Sequence, residues 1–200
     1  MTVLKAAACI LAAMLFTAPG TAGADTATPV PKPSIGSIQR LTAFPSAHVP
    51  PRDVDVWLPP GYSDKKKYAV LYMQDGQMLF DAGITWNKQE WRADETAARL
   101  MAEGKVRPFI IVGIHNGGPR RHVEYFPQKP FEALPQDFRS QLLGMNRNPQ
   151  QVLFDGAVDS DAYLKFVVEE LKPLKTVLNK PMPEPSCVLR FPMFGSGVVE

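Results

Sequence analysis

Two short apolar runs, "YAVLYM" (68–73) and "PFIIVGI" (108–114), constrain this chain more than any other feature. Each is continuous and rich in β-branched residues, as strands covered on both faces by helices must be. Between them, "EWRADETAARLMAEGK" repeats Trp91, Glu95, Ala98 and Leu100 or Met101 at helical spacing, with Gly104 as a stop signal. Strand, helix, strand with a connection of this length is a βαβ unit with a right-handed crossover. The expected class is α/β.

Upstream, "DVDVWLPPGY" (53–62) alternates, with Val54, Val56 and Leu58 on one face, until Pro59 and Pro60 end it. With the weaker strand "SIGSIQRLTAF" (34–44) it is expected to form an antiparallel pair with one solvated face. Downstream, Tyr163, Phe166, Val167, Leu171, Leu174 and Leu178 make a helical stripe opposite Asp161, Lys165, Glu169 and Lys172. Asp159 or Ser160 can cap this helix, and Pro173 should kink it.

The chain divides into four expected stretches. Residues 1–24 read as a signal peptide: Lys5, then "AAACILAAMLF", too short to span a bilayer, then "AGA" ending at Ala24. The protein is therefore expected to be exported, periplasmic or secreted. Cys9 lies inside the leader, so maturation leaves Cys187 alone and rules out an intrachain disulfide. Residues 25–36 are a Pro-rich linker, expected to be extended and exposed. Residues 37–180 form the domain, and 181–200 a tail whose three prolines within five residues, then Arg190 and Pro192, suit a central strand poorly.

A hydrophobic share of 45% with 21% charge describes a globular domain and excludes a disordered chain. The net charge of +2 is spread along the sequence and leaves no nucleic-acid footprint; the run Lys65–Lys66–Lys67 reads as a solvated loop. His48, His115 and His122 show no metal-ligand spacing, and Asp53 and Asp55 lack the glycine and distal glutamate of a calcium loop. No cofactor is expected. No membrane association is expected after leader cleavage.

The segments "RDVDVWLPPGY", "VLYMQDGQMLFD", "FIIVGIHNGGPRRHVEYFP" and "YLKFVVEELKPLKTVLNK" resemble, in order and spacing, the amino-terminal half of the putative esterase family of α/β-hydrolases. That family includes esterase D-like enzymes, enterochelin esterases and feruloyl esterases. The resemblance implies a partial α/β-hydrolase fold with a mostly parallel sheet and an antiparallel amino-terminal strand pair. It also implies a serine carboxylesterase acting on a small-molecule, polysaccharide or siderophore ester. In such a family a GxSxG nucleophile elbow follows the long helix, and then the acid and the histidine. Here "FGSGVV" sets Ser196 between adjacent glycines, with Phe194 and Val198 where the elbow needs glycine, so Ser196 is not expected to be the nucleophile. The chain is expected to be truncated or frameshifted before the elbow, inactive, and marginally stable, with strand 68–73 left with an unpaired apolar edge.

The resemblance places "DGQ" (75–77) where an α/β-hydrolase takes an oxyanion donor from the loop after its third strand. Gly76 would allow a sharp turn close to substrate, and the Gln77 N–H, helped by Met78, would be the donor. Read as a motif alone, "QDGQ" is a β-turn leaving a strand. Asp75, His115, Asn116, Arg121 and Tyr125 fall at the carboxyl edge of the sheet, where open α/β sheets bind ligands, and are candidate substrate-binding residues. Arg120 or Arg121 could instead pair with Glu124 to fix the loop. Two other readings stay open: a non-catalytic exported binding module, and a lyase or transferase working through His115.

Overall fold

The structure, a computed structural model, describes residues 28–173 and the backbone of a strand at Ser186–Leu189. The expected leader, the tail beyond Leu189 with Ser196, and the helix stripe at Leu174 and Leu178 lie outside the described residues.

The chain order is β1 (Ser37–Phe44), β2 (Arg52–Leu58), β3 (Ala69–Gln74), α1 (Ala93–Ala102), β4 (Phe109–Ile114), α2 (Arg121–Tyr125), α3 (Gln128–Glu132), α4 (Gln136–Leu143), the hairpin β5–β6 (Asn146–Asn148, Gln151–Val152), α5 (Ser160–Lys165) and β7 (Ser186–Leu189). Five strands form one sheet in the order β1-β2-β4-β3-β7. The β3–α1–β4 unit is parallel, with Val70 beside Ile110 and Tyr72 beside Val112. β1 and β2 are antiparallel, as are β2 and β4, so the sheet is mixed rather than mostly parallel.

Three expectations are corrected. First, β3 is not left with an open edge: Ser186–Leu189 pairs with it in parallel, Val70 against Ser186 through Met73 against Leu189. The strand is four residues long and stops short of Arg190 and Pro192, so the features that argued against a central strand lie outside it. Second, β2 has no solvated face. It is sandwiched between β1 and β4, and Asp55 and Trp57, on the face opposite the valines, are both fully buried. Third, residues 28–36 are mostly exposed, as expected of the linker, but they are tied to the domain. Pro31 is buried, the Lys32 and Ile35 N–H groups donate to Asp81 and Asp94 at 2.9 and 3.0 Å, and Trp57 Nε1 donates to the Ile35 carbonyl at 2.7 Å.

Helices cover both faces. On one, Val54, Val56, Val70, Tyr72, Ile110 and Val112 pack against Tyr163, Phe166, Val167 and Leu171. On the other, Trp57, Met73 and Ile111 pack with Leu79, Phe80, Ala93 and Ala97. Helix α1 begins two residues after Trp91, which stays 41% exposed, so its buried positions are Ala93, Asp94 and Ala97 rather than the Trp91 stripe. It closes at Gly104, whose φ of +67° is a conformation glycine adopts without penalty. After α5 the helix loosens to π spacing over Phe166–Leu171, and Lys172 N–H donates to Val167 at 2.8 Å. Pro173, next in line, cannot donate to the preceding turn. Whether Pro173 kinks the helix depends on residues after 173, which lie outside the described residues.

Across the first face runs a buried ion pair. Arg52 on β2 donates to both oxygens of Glu124 on α2 at 2.8 Å, with its guanidinium 5.3 Å from the Phe166 ring centre. Breaking such a pair by deleting one partner typically costs about 3–5 kcal/mol, because the other charge is left buried. Arg52→Met should lower the urea midpoint by that order, and Arg52→Met with Glu124→Leu should be the more stable of the two; a single variant as stable as the double would refute this.

Candidate functional site

The turn after β3 is built on one left-handed residue. Asp75 adopts φ 56°, ψ 44°, and the chain then closes a 3₁₀ turn over Gly76–Met78. Glycine was expected to supply the unusual backbone, but Asp75 does, as Asp and Asn tolerate this region best among residues with side chains. Gly76 has a different task. A Cβ there would lie 2.5 and 2.6 Å from the carbon and oxygen of Gly113 on β4, so only glycine lets the turn rest directly on the neighbouring strand.

The hydrogen bonds of this turn separate its donors. Met78 N–H donates to the Asp75 carbonyl at 2.8 Å and Leu79 N–H to Gly76 at 3.4 Å. Met78 is therefore not an oxyanion donor. The Gly76 and Gln77 N–H groups precede the first of these bonds, and among the described residues neither meets an acceptor. Gln77 contributes its side chain to the frame: Oε1 accepts from the Asn116 N–H at 3.2 Å.

The loop after β4 supplies the clasp. Asp75 Oδ1 accepts from Asn116 Nδ2 at 2.6 Å and from Arg121 Nε at 2.7 Å, and Oδ2 accepts from Arg121 Nη2 at 2.7 Å. Hydrogen bonding to Asp75 raises the Arg121 pKa against the opposing effect of burial, so the guanidinium stays charged. Asn116 Oδ1 in turn accepts from Gly118 N–H at 3.0 Å, and the Arg121 guanidinium lies 5.1 Å from the Tyr125 ring centre. Of the expected binding residues, Asp75, Asn116 and Arg121 are thus brought together.

Tyr125 meets this group from the core side, under Arg121, and His115 turns to Asp55. Tyr125 is 5% exposed, its ring against Tyr163 at 5.2 Å, and burial pushes its hydroxyl pKa well up. His115 faces Asp55: its Nε2 lies 2.8 Å from Oδ2, and a carboxylate can only accept, so Nε2 carries the proton. Among the described residues no serine hydroxyl is hydrogen-bonded to a histidine ring. His122 packs edge-on against Phe154, with its pKa lowered by burial and by Arg121 and Arg147, while His48 sits 3.3 Å from Glu169.

Two arginines that the sequence reading did not single out organise these acids. Arg40 donates to both oxygens of Asp55 at 2.7 and 2.8 Å, and Arg52 is the main partner of Glu124. Arg120 is 3.7 Å from Glu124 and also meets Asp159, while Arg121 goes to Asp75 instead. The Arg40–Asp55 pair had a signal: the two residues are direct cross-strand neighbours in the β1–β2 register, and a buried acid needs a partner. Among the described residues no group of three or more His, Cys, Asp or Glu side chains is placed to hold a metal. A cavity of about 550 Å³ lies at the opposite edge of the sheet, lined by Tyr68 and Pro108 just before β3 and β4 and by Ala98 and Met101 of α1.

Two outcomes follow from this geometry. Gly76→Ala should cost about 1–3 kcal/mol by overpacking and more than Gly113→Ala, whose Cβ would meet Leu79 Cδ1 at 3.0 Å, Gly76 Cα at 3.3 Å and the Asp55 carbonyl oxygen at 3.4 Å; the reverse order of denaturation midpoints would contradict the crossing. Burial opposes ionisation of Asp55, but hydrogen bonds and charge from Arg40 and His115 outweigh it and hold the carboxyl below its ordinary range. A folded pKa below the unfolded one gives stability that is present above the unfolded value, about 3.9, and is lost as pH falls through the folded value. Urea midpoints measured downward from pH 5 should fall less steeply for Asp55→Asn than for the parent.

Residues 49–143 match the family described as Putative esterase. Among solved structures, a ferulic acid esterase from Anaeromyces mucronatus in complex with ferulic acid is 18% identical, with 77% of this chain and 48% of that one covered and a TM-score of 0.46. An IroE-like serine hydrolase from Shewanella oneidensis is 22% identical, with 76% and 42% covered and a TM-score of 0.47. The feruloyl esterase module from Clostridium thermocellum complexed with sinapinate is 23% identical, with 48% and 34% covered and a TM-score of 0.32. The chain thus spans half or less of the length of these structures. Residues 49–143 of this chain are thus similar to the putative esterase family.

Proposed function

We propose that this chain forms the oxyanion-facing half of an exported, serine-type carboxylic ester hydrolase. The observation that carries the reading is the turn at Asp75–Met78: two N–H groups, of Gly76 and Gln77, left without acceptors among the described residues on a backbone fixed by a part-buried ion pair. Donors held in place before the reaction stabilise the charge that develops on a carbonyl oxygen, and one such donor typically contributes about 3–4 kcal/mol. Gln77, partly exposed, is the principal donor, and Gly76 supports it.

Acyl transfer also needs a nucleophile and a base. His115 donates its Nε2–H in a hydrogen bond to Asp55, and Ser196 is assigned no role, so on this reading the chain by itself is inactive. The substrate class is an ester of an aromatic carboxylic acid, carried on a small molecule, a polysaccharide or a siderophore; ferulic acid and sinapinate are the ligands named for two of the similar structures. A non-catalytic exported binding module is the second reading, favoured by the absence of a serine–histidine contact among the described residues.

Adding ferulate to the ¹⁵N-labelled chain should shift the Gly76 and Gln77 amide signals saturably, and unmoved signals would remove the oxyanion assignment. With p-nitrophenyl acetate no turnover above the buffer rate is expected. Saturable turnover abolished by Ser196→Ala would overturn the half-site reading, and turnover lost with His115→Ala would favour chemistry through that histidine.

A further inference from the structure

We infer that Arg121 is a positioning residue for the Gly76–Gln77 turn: its guanidinium holds Asp75 in the left-handed conformation and cancels the carboxylate charge beside the two N–H groups that meet no acceptor among the described residues. The inference rests on the oxyanion reading of that turn. It reassigns Arg121 and Asp75, which lie at the sheet's carboxyl edge as if to bind substrate, to holding each other.

Three features of the contact support this role. Both Asp75 oxygens accept, three hydrogen bonds in all, and the Asp75 side chain is only 6% exposed, so the carboxylate is turned to its protein partners rather than to a ligand. The pairing is a bidentate fork in which Nε and Nη2 each take one oxygen at 2.7 Å, a geometry that fixes orientation as well as distance and that lysine cannot reproduce. The guanidinium is itself held, stacked over Tyr125 at the end of α2. Because Asp75 is the residue from which the 3₁₀ turn starts, fixing its side chain fixes the directions of the next two N–H vectors.

The charge argument is separate. A carboxylate one residue ahead of an anion-binding amide repels the anion it should help to hold, and repulsion is strong where water is excluded. Paired with Arg121, the Asp75 carboxylate adds no net charge to the site. Removing only the arginine exposes the anion to that carboxylate, whereas removing both charges does not.

The test uses the full chain, ¹⁵N-labelled, with ferulate as the probe and the Gly76 and Gln77 amide signals as the readout. Arg121→Gln should weaken ferulate binding by about tenfold or more, and adding Asp75→Asn to Arg121→Gln should restore it to within about threefold of the parent. A merely structural clasp predicts the opposite, since losing a second member would weaken binding further; that result, or parent-like binding by Arg121→Gln, overturns the inference. If the parent chain does not bind ferulate, the oxyanion reading fails on its own, and the amide positions decide the present point. Arg121→Gln should move the Gly76 and Gln77 signals well beyond the shift caused by Arg120→Gln, a control that disturbs only the neighbouring contacts with Asp159 and Glu124. Equal shifts in the two variants overturn it.

Discussion

The carboxyl edge of this sheet depends on a backbone crossing with no room for a side chain. Gly76, in the turn after β3, lies so close to Gly113 of β4 that a Cβ would come within 2.6 Å of that residue's carbonyl group. The contact presses the turn onto the strand that also presents His115 and Asn116, and so brings the loops after β3 and β4 within hydrogen-bond reach. Gly113 completes the arrangement by leaving the space into which Leu79 packs.

Around that crossing, buried acids are each matched by an arginine from a different part of the chain. Asp55 on β2 takes Arg40 from β1, Glu124 on α2 takes Arg52 from β2, and Asp75 takes Arg121. Each pairing is bidentate, so each fixes an angle between two elements as well as a distance. Buried pairs of this kind add little net stability over an apolar substitute but penalise any misalignment that would strand one charge. Their effect here is to make the positions of β1, β2, α2 and the Asp75 turn interdependent. The N-terminal strap joins the same network, since Arg40 Nη1 donates to the Pro29 carbonyl at 3.0 Å.

Much of this was legible in the sequence because it is local. The continuous runs at 68–73 and 108–114 gave the parallel pair, the alternation at 53–58 gave β2, and the stripe from Tyr163 to Leu171 gave the helix on the larger core. The grouping of Asp75, Asn116 and Arg121 followed from their place after successive strands. What could not be read was long-range partnership. Nothing near Arg52 points to Glu124, 72 residues on, and alternation alone marks Asp55 as solvated until β4 and the strap are known to cover that face. Tyr125 looked like a pocket residue because it lies beside polar neighbours, yet it follows the buried Val123 and Glu124 into the core. The strand at Ser186–Leu189 was obscured by the prolines and arginine flanking it, which limit its length without preventing a four-residue pairing.

Of the turn's amides, Gln77 N–H has no acceptor among the described residues while its neighbour is tied up. Amide hydrogen exchange resolved at single residues tests it most directly, because Met78 is bonded to the Asp75 carbonyl at 2.8 Å and Gln77, partly exposed, has no acceptor among the described residues. The account predicts a slow Met78 amide beside a fast Gln77 amide under native conditions. Comparable protection at both positions would mean that the turn has another hydrogen-bond pattern, and that no donor waits there for an oxyanion.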